Sequence, residues 1–461
     1  MELNDYLVIA MFVTFIGMLL TGYPVAFCLA GTSIIFTGVG YVSDMYFGTL
    51  TGMDLNYFGI AVTRIYNIMS NWVLVSLPMF IFMGLMLDKS GIAERLMISS
   101  QELFGKLHGG LAITVTLIGV VLAASTGIIG ASVVLLGLLT VPAMLNQGYS
   151  KTLALGTVAG AGTLGILIPP SIMLVVMADQ ISISVGDLFM GAVFPGLILA
   201  GLYLLYLTVY CFLNPEDAPL SPDIQPFSAK LLLRVFKNIL PPIILIIAVL
   251  GSIFMGIATV TEASGVGALI ATIMAIAYRK LNLKILKEVL YSTFNTNAYI
   301  FGILISATCF ALVLRGLGGD ELIERTLTSL PFGPYGIIAF ILFCVFILGF
   351  FLDWVEITLI ILPLITPVVS KLGLSVEGYG VVQQPEMVWF LLLIAVTLQT
   401  SFLSPPVGFA LFYLKGVAPP EVKLSHIYKG VIPFIILQLI GLLIIALFPK
   451  LVTWLPAVAY R

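Results

Sequence analysis

Long apolar runs, separated by polar breaks too short to fold alone, decide what this chain can become. They fall at about 7–21, 25–42, 72–87, 110–123 with 128–145, 152–178, 189–213, 238–256, 262–278, 293–314, 335–350 with 355–369, 387–414 and 430–457. A helix needs about 20 apolar residues to span a bilayer, so a chain of this length has room for roughly ten to twelve such segments. Hydrophobic residues make up 60% of the 461 and charged residues only 9%, whereas a soluble domain carries about a quarter charged. The runs are continuous and do not alternate with period two, which disfavours a β-barrel. The expectation is an all-α integral membrane protein in a lipid bilayer. A net charge of −2 without a basic cluster leaves no footprint for nucleic acid. Cys28, Cys211, Cys309 and Cys344 lie singly in apolar runs and read as buried and reduced. His108 and His426 stand far apart, so a transition-metal site is not expected. The start, Met-Glu-Leu-Asn-Asp, is acidic where a signal peptide is basic, and reads as the edge of a retained first span.

Several runs are unusual. The pieces flanking Ser125-Thr126-Gly127, and those flanking Asp353-Trp354-Val355-Glu356, are short for full spans. Each pair is expected to form a re-entrant helical hairpin, over about 110–145 and 335–369. Two longer runs are interrupted by a double proline, Ile168-Pro169-Pro170-Ser171 and Ser404-Pro405-Pro406-Val407. Proline removes an amide donor and clashes with the preceding turn, so the helices 152–178 and 387–414 should each be broken. In a membrane such breaks persist only where protein or a cavity surrounds them.

The halves repeat. Ala26 and Ala263 stand at like places 237 residues apart, and Pro170 and Pro406 at like places 236 apart. Residues 1–213 and 238–461 are read as two copies, joined by a cytoplasmic linker at 214–237. Fourteen lysines and arginines gather in the loops of one side and six on the other, which accounts for all 20. The richer side is cytoplasmic by the positive-inside rule. Both termini then lie outside, and the copies are inverted relative to each other. Ser90–Leu107 and Gly319–Leu330 mix charge with aliphatics and are expected to be interfacial helices, either arms bracing a moving domain or simple connections.

Inverted repeats with broken helices are the signature of secondary transporters, whose sites lie where the breaks expose carbonyls and amide dipoles. Carbonyls and hydroxyls at a hairpin tip form an all-oxygen cage suited to Na+. The first candidate cage sets Ser125, Thr126 and Gly127 against Thr163, Gly165, Pro169 and Ser171. The second sets the tip from Asp353 to Thr358 against Thr400, Ser401, Ser404 and Pro405. Acids at membrane depth are functional candidates by default. Asp353 is assigned to ion or substrate binding, with helix capping as the alternative. Glu262 opens a helix, so it is either a coupling acid or a cap for free amides. Glu356 is expected to face water at the hairpin mouth. Arg315 ends an apolar span beside three glycines; it either recognises a substrate carboxylate or snorkels to the interface. Asn71, Asn295, Asn297 and Gln399 line a path or join helices. No nucleotide-binding loop, metalloprotease motif or nucleophile elbow occurs, so an enzyme has no support.

Five motifs in order carry a resemblance. They are Gly162–Ser171, Ser184–Gly196 (Ser-Val-Gly-Asp-Leu-Phe-Met-Gly-Ala-Val-Phe-Pro-Gly), Gly256–Ala263 (Gly-Ile-Ala-Thr-Val-Thr-Glu-Ala), Phe351-Leu352-Asp353 and Ser404–Gly408. Together they resemble, over essentially the whole chain, the large membrane subunit of a tripartite ATP-independent periplasmic (TRAP) transporter. The resemblance implies an elevator transporter of the ion-transporter-like fold in a bacterial or archaeal cytoplasmic membrane. It would import organic acids with Na+, and would work with a periplasmic substrate-binding protein and a small membrane subunit of about four helices. The family's functional hydroxyls fall on Ser125, Thr126 and Ser171, its aspartate on Asp353, and its glutamate on Glu262. The sequence departs from the family in its Ser-Thr-Gly tip, in Gly130 where an aspartate is common, and in Val260 for a proline. These changes fit a branch handling 2-oxo acids or C4-dicarboxylates. The rival readings are a stand-alone sodium/dicarboxylate carrier and, less compatibly with the helix breaks, an ion channel.

Overall fold

The computed structural model describes residues 3–105, 107–126, 129–220, 229–405 and 408–459, and leaves aside the side chains of 55, 123–126, 131, 229 and 230. Among these residues the chain is all helix, without a strand, and nine helices are long and apolar enough to cross a membrane. Two spans come first, α1 (Leu3–Leu20) and α2 (Val25–Phe47). Next, α3 (Leu55–Met69) and α4 (Ser76–Lys89) flank a bend of 59°. A short helix follows, α5 (Ile92–Phe104), and then a pair of apolar helices, α6 (Gly110–Thr126) and α7 (Ile129–Asn146). Two half-helices, α8 (Lys151–Thr163) and α9 (Ile172–Ile181), flank the first proline break before the span α10 (Val185–Leu213).

The same order then recurs. The spans α11 (Ala229–Phe254), α12 (Val260–Ala277) and α13 (Leu283–Gly316) lead into a short helix, α14 (Gly319–Thr328). An apolar pair comes next, α15 (Pro334–Leu348) and α16 (Trp354–Lys371). The half-helices α17 (Pro385–Leu403) and α18 (Phe409–Val417) precede the span α19 (Leu424–Leu447) and a terminal helix α20 (Lys450–Ala459).

Helix starts follow local chemistry. The side chains of Asp54, Ser150, Ser184 and Asn282 each accept from an amide of the first turn, at 2.6, 3.4, 3.2 and 2.8 Å. Each thereby satisfies an N–H that has no partner within the helix. Three boundaries differ from the sequence reading. The helix α11 already begins at Ala229, so the end of the expected linker is helical. The run 430–457 divides into α19 and α20, because Pro449 keeps Phe448 out of the helical region (φ −124°, ψ 71°). At 18 residues α16 is long enough to span, whereas its partner α15 has only 15.

Burial separates an inner body from an outer one. In α17, 94% of the most apolar window is buried, against 22% in α1 and in α11. A helix apolar on every side belongs inside a protein, and α8 and α17 fit that description. The hairpin helices α6 and α7 pack on α8, and α15 packs on α17. The halves interlock: α7 packs against α18, and α16 against α9. Across the repeats, α8 lies on α19 and α10 on α17. Around this body run α1–α4 and α11–α13. The two short helices are clipped to the first span of the opposite half, α5 to α11 by Arg234–Glu102 at 2.9 Å and α14 to α1 by Arg325–Asp5 at 2.6 Å. Lys371 to Glu324 also ties α14 to α16, so this helix bridges an outer span and a hairpin. The arms of the second hairpin are splayed. An apolar crevice of about 490 Å³ lies between them, lined by Ile341 and Val345 of α15, Ile361 and Ile365 of α16, and Val8 and Phe12 of α1.

Candidate functional site

The first break shows how a helix can stop inside a protein. After Thr163 the chain tightens into a 3-10 turn, Leu164–Ile166, which contains Gly165, and passes a cis bond between Pro169 and Pro170. Ser171 starts α9, and its hydroxyl donates back across the break to the Ile166 carbonyl at 2.5 Å. Carbonyls freed by a break need such partners in an apolar setting. Thr163 and Ser171 are fully buried, and the Thr163 hydroxyl donates to the Gly160 carbonyl at 2.9 Å. The first hairpin reaches this turn: α6 and α7 both pack against it. The side chains of Ser125 and Thr126, and Gly127 altogether, lie outside the described residues. Just beyond them Gly130 is explained, since a Cβ there would come within 3.2 Å of the Tyr413 ring on α18. The small residue lets the first hairpin lie against the second broken helix.

The second break is built from hydroxyls. Thr400 donates to Val396 at 2.8 Å, Ser401 to Leu398 at 2.8 Å and Ser404 to Thr400 at 2.9 Å, all on carbonyls. Thr400, Ser401 and Ser404 are buried, whereas Pro405 is exposed. A hydroxyl that gives its proton to a carbonyl keeps its lone pairs, so each of these oxygens can still face a cation. Gly349, at the end of α15, lies so close to Ser401 that an added Cβ would run into its hydroxyl.

The second hairpin's tip holds the acids. Asp353 is partly buried and caps α16, its Oδ1 accepting from the Trp354 amide at 2.8 Å. Glu356, three residues on, does not face water as the sequence reading expected. It is 1% exposed, because α13 and the hairpin enclose it. Its carboxylate lies against the backbone N–H groups of Asp353 and of Glu356 itself. Its Oε2 has no hydrogen-bond partner. Immediately after it the helix widens into a π-helical turn, Ile357–Ile361, a departure that clusters at functional sites. Within that turn Thr358 is fully buried and its hydroxyl has no partner.

Other candidates stand elsewhere. Arg315 is paired with Asp320 at 3.1 Å, where α13 turns into α14. Tyr299, the α13 residue within electrostatic reach of Asp353 and Glu356, lies sixteen residues earlier, about 24 Å along the helix axis. Glu262 forms a capping box with Thr259, its Oε2 accepting from the Thr259 amide and hydroxyl at 2.8 Å each. Asn71, at the bend between α3 and α4, donates to Asp179 of α9 at 2.6 Å. The Gln399 amide lies 3.5 Å from the Thr163 hydroxyl, joining the two broken helices. The Tyr203 hydroxyl and the Gln438 amide form a further fully buried polar group beside Thr163, which the sequence did not single out because each sits alone in an apolar run.

Comparison with known proteins agrees with this architecture. A family model described as the tripartite ATP-independent periplasmic transporter, DctM component, matches residues 12–451. The chain is 28% identical to the C4-dicarboxylate TRAP transporter large permease protein DctM of Vibrio cholerae, over 97% of this chain and 96% of that one. It is 26% identical to the ectoine TRAP transporter large permease protein TeaC of Halomonas elongata, covering 98% and 99%. It is 25% identical to the sialic acid TRAP transporter large permease protein SiaM of Vibrio cholerae, covering 96% of each. Among solved structures, the fold is similar to the YdaH transporter of Alcanivorax borkumensis, with a TM-score of 0.52 at 13% identity, covering 83% of this chain and 88% of that one. Repeated spans, hairpins and proline breaks, and a family match over nearly the full length, lead to one conclusion: the chain belongs to the large membrane subunits of TRAP transporters.

Proposed function

We propose that this subunit imports a small organic acid, such as a 2-oxo acid or a C4-dicarboxylate, driven by Na+ and supplied by a periplasmic binding protein. A small membrane subunit would complete the assembly. The observation that carries the reading is the set of enclosed oxygens at the two breaks. Thr163 and Ser171 stand at one and Thr400, Ser401 and Ser404 at the other, while Thr358 is enclosed in the second hairpin that Asp353 caps. This donor set is all oxygen, which fits a hard monovalent cation. The unpartnered Thr358 hydroxyl is a group left waiting for a ligand. The residues at the first cage would be the hairpin tip at Ser125, Thr126 and Gly127 with Thr163, Gly165 and Pro169. At the second they would be Asp353, Thr358, Thr400, Ser401, Ser404 and Pro405. When bound, Na+ supplies positive charge beside the Asp353 carboxylate and so lets an anionic substrate approach.

The substrate is assigned to the space between the hairpin tips, against Ser125, Ser171 and Asp353. The amide-bearing start of α9, where Ser171 stands, favours an anionic group. Arg315 is left out of this site, because Asp320 holds it at the far end of α13. The inner body, with both hairpins and both broken helices, is proposed to slide against the outer spans as one unit. The splayed second hairpin and the α14 bridge to α1 support a boundary there. The copies would be inverted, with both termini outside.

The test is uptake of labelled organic acids into proteoliposomes holding this chain with its small partner. The sodium gradient and the binding protein are varied independently. Uptake that requires both is the expected result. Uptake that needs sodium but no binding protein would instead make the chain a stand-alone carrier.

A further inference from the structure

Glu356 is the most enclosed acid among the described residues, and the proposed cages do not use it. Its carboxylate is 1% exposed and one oxygen, Oε2, has no hydrogen-bond partner. Among the described residues, the other titratable side chains within reach are Asp353 on its own hairpin, Tyr299 on α13 and, beside Asp353, Tyr413 on α18. The helix α9, packed against the π-helical turn, contributes only Asp179, which the amides of Asn71 and Gln180 hold. None of these neighbours is a cation. A carboxylate taken out of water without a countercharge is strongly disfavoured, and Asp353 beside it adds a second negative charge. Oxygen-only surroundings favour a hard cation.

We propose that Glu356 is itself a ligand of an alkali cation at the second hairpin, with Asp353 as its neighbour, so that this transporter couples one more cation per substrate than an aspartate alone would require. The inference deepens the sodium reading above and rests on it. Charge balance gives the reason. With both acids ionised and a carboxylate substrate beside them, one cation leaves the tip with an excess of negative charge. A second cation brings the count back toward neutrality.

The substitution Glu356→Gln separates charge from structure. Glutamine at this position of the first turn can still accept the backbone N–H of the cap, as glutamate does. Two measurements on the membrane complex with its small partner decide the matter: equilibrium binding of radiolabelled sodium to the purified complex, and charge moved per substrate in proteoliposomes, read from reversal potentials. Glu356→Gln is expected to weaken sodium binding about tenfold or more and to lower the charge moved per substrate by about one elementary charge. Glu356→Asp, which keeps the charge but draws it back by one methylene, is expected to weaken binding without changing that charge; it carries the binding test alone should Glu356→Gln not assemble. A sodium isotherm and a charge ratio unchanged in Glu356→Gln would overturn the assignment. If the wild-type complex itself binds no sodium and transports without it, the sodium reading fails first, and the two failures are told apart.

Discussion

Asp353 caps α16 and is also an acid of the proposed ion site. Both of the roles read from the sequence are therefore physically available to it, and substitution can divide them. Asparagine caps a helix about as well as aspartate. Asp353→Asn is therefore expected to unfold within about 0.5 kcal/mol of wild type while losing uptake. Asp353→Ala is expected to lose about 1 kcal/mol as well. Thermal melts and uptake assays on the same preparations check this, and normal uptake by Asp353→Asn would remove the acid from the site. Arg315 gives the opposite case. A solvent-facing ion pair contributes about 0–1 kcal/mol, so Arg315→Ala should leave uptake nearly intact. A collapse of uptake in Arg315→Ala would bring it back into the substrate site. At this scale the sequence could single out polar residues within apolar runs, as at Thr400, Ser401 and Ser404. It could not reveal the partner of Arg315, which comes from where the chain turns after Gly316. Nor could it reveal the burial of Glu356, which comes from α13, a helix far away along the chain.

Elements were the most legible scale. Short apolar pieces and double prolines announced the hairpins and breaks, because length and the missing amide of proline act locally. Boundaries set by tertiary packing were less visible, as at Ala229 and in the splay of α15 from α16. Close approach between elements depends on small residues. Gly156 of α8 faces Gly430 of α19, and a Cβ on either would strike the other backbone. Gly156→Val is expected to destabilise the complex by about 1–3 kcal/mol through overpacking. Gly251 of α11 has only Ile247 nearby, at 3.8 Å. There alanine removes the helix penalty of glycine, about 1 kcal/mol, so Gly251→Ala should be neutral or stabilising. Melting temperatures of the two variants, measured side by side, check the contrast. Equal stability would mean that the α8–α19 contact yields more readily than its geometry implies.

Over the whole molecule, the second copy could be read from spacing alone, but the exchange of partners between copies could not. Periodicity says that elements recur; only packing shows that α7 lies against α18 and α16 against α9. The two short helices, each clipped to the opposite first span, follow the same exchange. One contact condenses this arrangement. Gln399 and Thr163, 236 residues apart, touch across the centre of the inner body. That is the spacing of the two double prolines, so corresponding positions of the copies meet each other. Both residues belong to the broken helices of the inner body. A slide of that body as one unit would carry the Thr163–Gln399 contact along unbroken, like a rivet in a moving plate, in need of no second set of partners.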